Sequence, residues 1–148
     1  MKNLFKVSLV SILLLSSLFS CDKEENNRPE ISDVEVENHD GAADVKLGGT
    51  ISVNFSALAG ETARLDFYHI EIHDHPTSGS VHDEYKIIDS DFKDKSTFKG
   101  LRNATVHEHV QVPDSANLGS YHVVITVVDE EGYSVNTEDL ETHITFVE

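Results

Sequence analysis

The chain has 148 residues, with 27 acidic against 11 basic side chains and a net charge of -16 when histidine is neutral. That surplus disfavours nucleic acid and a direct hold on anionic lipid, both bound through basic patches, and makes cations the natural counterpart. A single cysteine excludes an internal disulfide, the lack of tryptophan argues against a large sugar-stacking platform, and a chain of this size can bury one core without metal or disulfide support.

In chain order, the first twenty residues open with Lys2 and Lys6, run through Leu9, Val10, Ile12, Leu13, Leu14 and Leu15, and end on small residues before Cys21, the pattern of an export signal. The apolar run is shorter than the roughly 20 residues of a bilayer-crossing helix. Leu18-Phe19-Ser20-Cys21 resembles a bacterial lipobox, in which signal peptidase cuts before a cysteine that receives lipid; Phe19 stands where a small or aliphatic residue is usual. Cys21 is therefore expected to be a lipid anchor, since a lone thiol in an oxidising compartment would have no partner. Removal of residues 1–20 takes away two lysines and no acid, leaving 9 basic and 27 acidic side chains, net -18. Residues 21–29 read as the lipidated cysteine and a polar tether whose last eight residues reach about 26 to 29 Å when extended. Lys23-Glu24-Glu25 looks like the acidic signal that sends lipoproteins of one Gram-negative phylum to the outer face of the outer membrane; the alternative is a plain linker on the periplasmic face.

Residues 30–148 carry a period of two between Gly, Asn, Asp and Pro punctuation, which predicts strands. They are expected at Ile31–Val36, Thr50–Phe55, Leu65–His73, more weakly Tyr85–Ile88, then Thr105–Val112, Tyr121–Val128 and Glu141–Val147. About seven strands predict an all-β, immunoglobulin-like antiparallel sandwich. Asp129-Glu130-Glu131-Gly132 predicts a hairpin turn with Gly132 at positive φ, and Asn38 to Asp44 a turn rather than a calcium loop, because the regular acids and terminal glutamate of an EF-hand are missing.

Gly119-Ser120-Tyr121-His122-Val123-Val124-Ile125 resembles the penultimate strand of bacterial immunoglobulin-like domains, with Tyr121 placed as in a tyrosine corner. Across the mature chain, Pro-x-Ile, a Gly-Gly strand, Tyr-x-Ile-x-Ile-His, His-x-His before Val-Pro, and Gly-x-Tyr-His before Asp-x-x-Gly resemble domain-of-unknown-function family 4625, small bacterial lipoproteins. The resemblance implies an immunoglobulin-like sandwich and no assigned activity.

Seven of the nine histidines fall between His69 and His122. On the third predicted strand Tyr68, Ile70 and Ile72 share one face, leaving His69, Glu71, His73 and His75 on the other. At about 3.3 Å per residue, His73 and His75 are about 7 Å apart and can meet on one ion, whereas His69 lies about 13 Å from His73. In Val106-His107-Glu108-His109-Val110 the valines mark the buried side, so His107 and His109 face outward or to the rim, and Glu108 on the core side suggests a pocket at the sheet edge. The third and sixth strands of such a sandwich are usually neighbours while the fifth lies opposite. The expected metal ligands are therefore His73, His75 and His122, completed by His107, His109 or a carboxylate such as Asp74; His82 sits on a loop from which it can fold back, and His39 and His143 read as ordinary exposed residues.

No sulfur ligand survives, because Cys21 is blocked by lipid and Met1 leaves with the signal; imidazole donors then point to Zn²⁺ or Cu²⁺, with affinity favouring Cu²⁺. No phosphate-cradling loop, nucleophile elbow or ordered catalytic triad is present in the sequence. Asp114-Ser115-Ala116 is similar to an acceptor for bacterial O-linked glycans. The expectation is a lipid-anchored envelope protein that captures or buffers a divalent metal and is not an enzyme. The alternative is a surface adhesion module for a protein or glycan with pH-tuned histidines, and the remotest is a zinc hydrolase with Glu71 or Glu108 as base.

Overall fold

The computed structural model describes residues 27–74 and 84–148. The strands are β1 (Glu30–Asn38), β2 (Val45–Lys46), β3 (Thr50–Leu58), β4 (Leu65–Asp74), β5 (Lys86–Phe92), β6 (Asn103–Gln111), β7 (Gly119–Asp129), β8 (Ser134–Asn136) and β9 (His143–Val147), with one short helical turn at Glu138–Leu140. A three-stranded sheet in the order β1-β3-β6 faces a larger sheet in the order β2-β9-β7-β4-β5, and β8 also pairs with β7. This is an all-β sandwich of the expected immunoglobulin-like kind. The third and sixth predicted strands are neighbours as β4 and β7, and the fifth, β6, lies in the opposite sheet.

Alternation explains the packing. Ile51, Val53, Phe55 and Ala57 of β3 point inward against Tyr68, Ile70 and Ile72 of β4 and Tyr121, Val123, Ile125 and Val127 of β7, all buried. Each large aliphatic residue withdrawn from water contributes roughly 1.5–3 kcal/mol. Tyr68 centres the core: its ring stacks on Phe92 (4.8 Å) and meets Phe98 (4.8 Å) and Phe55 (5.4 Å) edge-on. Tyr121 is fully buried at the start of β7. Burial first, and the Asp74 carboxylate second, push its hydroxyl up to about 12, with the Asn117 backbone pulling the other way.

Glu108 does point between the sheets, where hydrogen bonds hold it. It accepts the Tyr68 hydroxyl (2.5 Å) and the Lys95 ammonium (2.6 Å), which supply the partners that a carboxylate on the core side needs. Burial and Glu108 together hold the Tyr68 phenol well above its ordinary range.

The turns follow local chemistry. Asp129 accepts the Glu131 and Tyr133 amides (3.0 and 2.9 Å) and Gly132 takes φ 86°, closing the predicted hairpin between β7 and β8. Asn38 bridges its own turn, donating to the Asp44 carbonyl (2.7 Å) and accepting the Asp40 amide (3.0 Å). Two strands were not expected, β2 and β8, both too short to show a period. β5 runs beyond the expected Ile88 to Phe92 through Asp89-Ser90-Asp91, polar residues that show no alternation because both faces of an edge strand can be polar. β9 begins at His143 because Glu141, at φ 48°, ends the preceding helical turn in the left-handed region.

Two histidine faces as candidate metal sites

Each sheet turns a histidine-bearing face to the outside. On the larger sheet, alternation sends His69, Glu71 and His73 of β4 outward, and antiparallel pairing sets His73 directly opposite His122 of β7 and His122 opposite His143 of β9. Three histidines thus stand in one row across three strands. The His73 and His122 ring centroids are 5.4 Å apart and nearly perpendicular, and those of His122 and His143 are 5.0 Å apart and nearly parallel. Two imidazoles sharing a tetrahedral ion through bonds of about 2.0–2.1 Å have centroids about 5 Å apart, so the His73–His122 spacing suits chelation, whereas His122 and His143 stack face to face. His73 and His122 are buried although they face outward, and His143 is exposed.

Carboxylates flank this row at both ends. Glu71 Oε1 lies 3.1 Å from His73 Nδ1, and ligand atoms of Glu71, His73 and Glu84 all fall within 4.8 Å of one another. At the far end His122, Glu138, Glu141 and His143 line a concavity of about 300 Å³. His143 Nδ1–H donates to the Glu141 carbonyl (2.6 Å), which places the lone pair of the neutral ring on Nε2. The left-handed backbone of Glu141 occurs at this concavity, where such departures from ordinary φ often mark a functional constraint.

His69 belongs to a different group. Its Nδ1 is 2.8 Å from Asp91 and its Nε2 3.2 Å from Asp89, both on β5. His69, Glu71 and Asp89 also bring ligand atoms within 4.8 Å of one another. There, however, Lys86 already places its ammonium 2.8 Å from both Glu71 and Asp89. The Lys86 hydrogen bond is the main reason the Asp89 carboxyl is held below the usual range, and Lys93 and then His69 do the same for Asp91.

The smaller sheet presents the other face. His107 and His109 of β6 alternate with the buried Val106 and Val110 and point away from the core, opposite Asn54 and Ser52 of β3. His107 Nε2 and His109 Nε2 are 2.8 Å apart, and His107 Nδ1 meets the Asn54 side-chain oxygen. His39, just beyond β1, packs edge-on against His109 with centroids 4.3 Å apart and bonds Ser52 Oγ (3.1 Å).

The residues expected to share one ion are therefore divided. His73 and His122 come together, and His107 and His109 come together on the opposite sheet; the rim does not unite them because the β6 histidines project outward. His75 and His82 lie outside the described residues. Asp74 is committed elsewhere, accepting the Tyr85 amide and the Asn117 side chain at 2.8 Å each. Glu108 faces the core, away from His107 and His109. His143 and Glu84 beside the first pair, and His39 beside the second, were missed as candidates. The outward parity of His143 in its strand was readable, but not its register.

The pattern of the family described as Domain of unknown function (DUF4625) matches residues 19–146. The chain belongs to that family. No curated protein matches it. Among solved structures, it is similar to a DUF4466 family protein from Parabacteroides merdae, with 12% identity and a TM-score of 0.50 over 80% of this chain and 45% of that one. It also matches the sporulation control protein Spo0M from Bacillus subtilis, with 9% identity and a TM-score of 0.47 over 82% and 50% of the two chains. A beta-glucosidase from Listeria innocua matches with 10% identity and a TM-score of 0.45 over 82% and 16%. The chain spans half or less of the length of these proteins, and the likeness to the first is one of fold alone.

Proposed function

We propose that this domain captures a divalent cation, Zn²⁺ or Cu²⁺, on the outer face of its larger sheet, and that it does so as a non-enzymatic lipoprotein held at the cell envelope by Cys21. The observation that carries this reading is the row His73, His122 and His143 with carboxylates at both ends. His73 and Glu71, joined by Glu84 or by His122, supply the donors. Glu71 acts either as a ligand or as the carboxylate that fixes the His73 tautomer, a usual companion of a metal-bound imidazole. Imidazole and carboxylate without thiolate suit both ions, and the strongly acidic chain attracts cations at long range. Acid releases the ion, because imidazole binds only when deprotonated.

The test is calorimetric titration of the exported chain in detergent with Zn²⁺ and Cu²⁺. The His73→Ala/His122→Ala variant should lose this binding, and Glu71→Gln, which keeps every imidazole, should weaken it. Unchanged affinity in both would sink the reading. For the anchor, Cys21→Ala should abolish labelling by radioactive fatty acid and move the protein out of the membrane fraction.

A further inference from the structure

The geometry points to a second, independent cation site on the opposite sheet, in which His107 and His109 chelate a divalent transition-metal ion, Cu²⁺ above all, with His39 as the third imidazole. The two Nε2 atoms face each other across one hydrogen bond, 2.8 Å apart. Neighbouring ligands of a square-planar ion with bonds of about 2.0 Å lie about 2.8 Å apart and those of tetrahedral zinc about 3.3 Å, so the hydrogen-bonded pair takes either ion with a shift of no more than a few tenths of an ångström, and the affinity order favours Cu²⁺.

The surroundings set the rings for this role. Asn54 takes the Nδ1–H of His107, which leaves the His107 lone pair on Nε2, toward His109. In the metal-free chain the proton between the two Nε2 atoms belongs to His109. When the ion enters, that proton moves to His109 Nδ1 and the metal takes its place, so the pair binds without a change in total protonation. Ser52 anchors His39 beside His109 through Nδ1, with the two ring centroids 4.3 Å apart, so the third imidazole stands next to the pair.

Charge on this face favours a cation. The strand register places Glu35 and Glu37 of β1 in line with Asn54 and His107 and with Ser52 and His109, so two exposed carboxylates stand on the same face two strands from the imidazoles, across β3. The titratable groups around the pair are then His39, Glu35 and Glu37 on the face itself and Glu108 behind it. Desolvation, followed by the proximity of His39 and His107, depresses the His109 basicity, while Glu108 opposes the shift.

The first face is removed for the test: the His73→Ala/His122→Ala chain is titrated with Cu²⁺ by calorimetry and by electron paramagnetic resonance. One equivalent should bind, with nitrogen hyperfine structure in the spectrum, and adding His107→Ala/His109→Ala should weaken it at least 100-fold. Binding unaffected by that addition, or no binding to a chain whose circular dichroism still reports the sandwich, overturns the second site while leaving the first reading untouched. Should the His73→Ala/His122→Ala chain fail to fold, His39→Ala/His107→Ala/His109→Ala alters only exposed side chains and is titrated instead: bound Cu²⁺ must fall by one equivalent, and an unchanged count refutes the proposal.

Discussion

The two outer faces of this sandwich carry histidines in opposite settings. On the larger sheet, His73 and His122 are buried, come from different strands, and are bordered by Glu71, Glu84, Glu138 and Glu141. On the smaller sheet, His107 and His109 are exposed, share one strand, and stand among neutral Ser52 and Asn54 with carboxylates two strands away. A cross-strand row depends on the whole sheet for its spacing, whereas a pair two residues apart depends only on the pleat of its own strand. Affinity on the first face should be coupled to the fold, and on the second it should be local.

The strongest way to break this comparison is through the core that both faces share. Tyr68→Ala removes a ring packed on Phe55, Phe92 and Phe98 and strands Glu108, and should cost about 3–5 kcal/mol in urea unfolding. It should degrade the cross-strand row before the β6 pair, so Zn²⁺ titration of the surviving folded fraction would show the first face weakened more; equal losses would erase the distinction. Next in size, His73→Ala/His122→Ala should lower affinity on its own face by more than the roughly 10–100-fold expected for losing only an outer partner, while His107→Ala/His109→Ala leaves that face unchanged.

A pH scan separates the core from the faces. The Tyr121 hydroxyl is pushed up to about 12 in the folded chain, while an unfolded tyrosine releases its proton near 10. The folded state holds the proton more tightly, so the contribution is intact below about pH 10 and is lost as pH rises toward 12, on the order of 2 kcal/mol. Denaturation midpoints should fall over that alkaline window, and Tyr121→Phe should flatten the fall. Metal release belongs instead to the acid side, where imidazoles protonate.

The smallest effect should come from Lys86. Its ammonium bridges Glu71 and Asp89, and Lys86→Met removes a cation that competes for Glu71. Because exposed ion pairs are weak, affinity on the larger-sheet face should rise only a few-fold, with no change on the other. A drop would mean that Lys86 positions Glu71 rather than competing for it.

Much of this was legible in the chain. The period of two located seven strands, and Tyr68, Ile70, Ile72, Val106, Val110 and Tyr121 fell on the inward side as alternation predicts. What failed was register across sheets. His143 becomes a neighbour of His122 only through the pairing of β7 with β9, and His39 meets His109 only because β3 lies between their strands. Parity tells which way a side chain points, but the partner across the ladder depends on turn lengths and bulges, such as the shift between Ile72 and His73 that leaves Lys86 beside Glu71. Glu108 was visible as an anomaly. Its meaning needed Tyr68 and Lys95, which reach it from distant parts of the chain.

β2 has a mechanical consequence out of proportion to its two residues. Val45 and Lys46 run parallel to Phe146 and Val147, and the Leu47 amide adds a bond to the Val147 carbonyl (3.1 Å). Once β1 has come away from β3, traction between the two ends of the chain pulls β2 and β9 in opposite senses along their common direction, loading these hydrogen bonds in shear. Bonds sheared together must rupture together, whereas an antiparallel hairpin opened from its end unzips one bond at a time. After β1 yields, the short parallel clasp is thus the next point at which a domain tugged from its leading end resists.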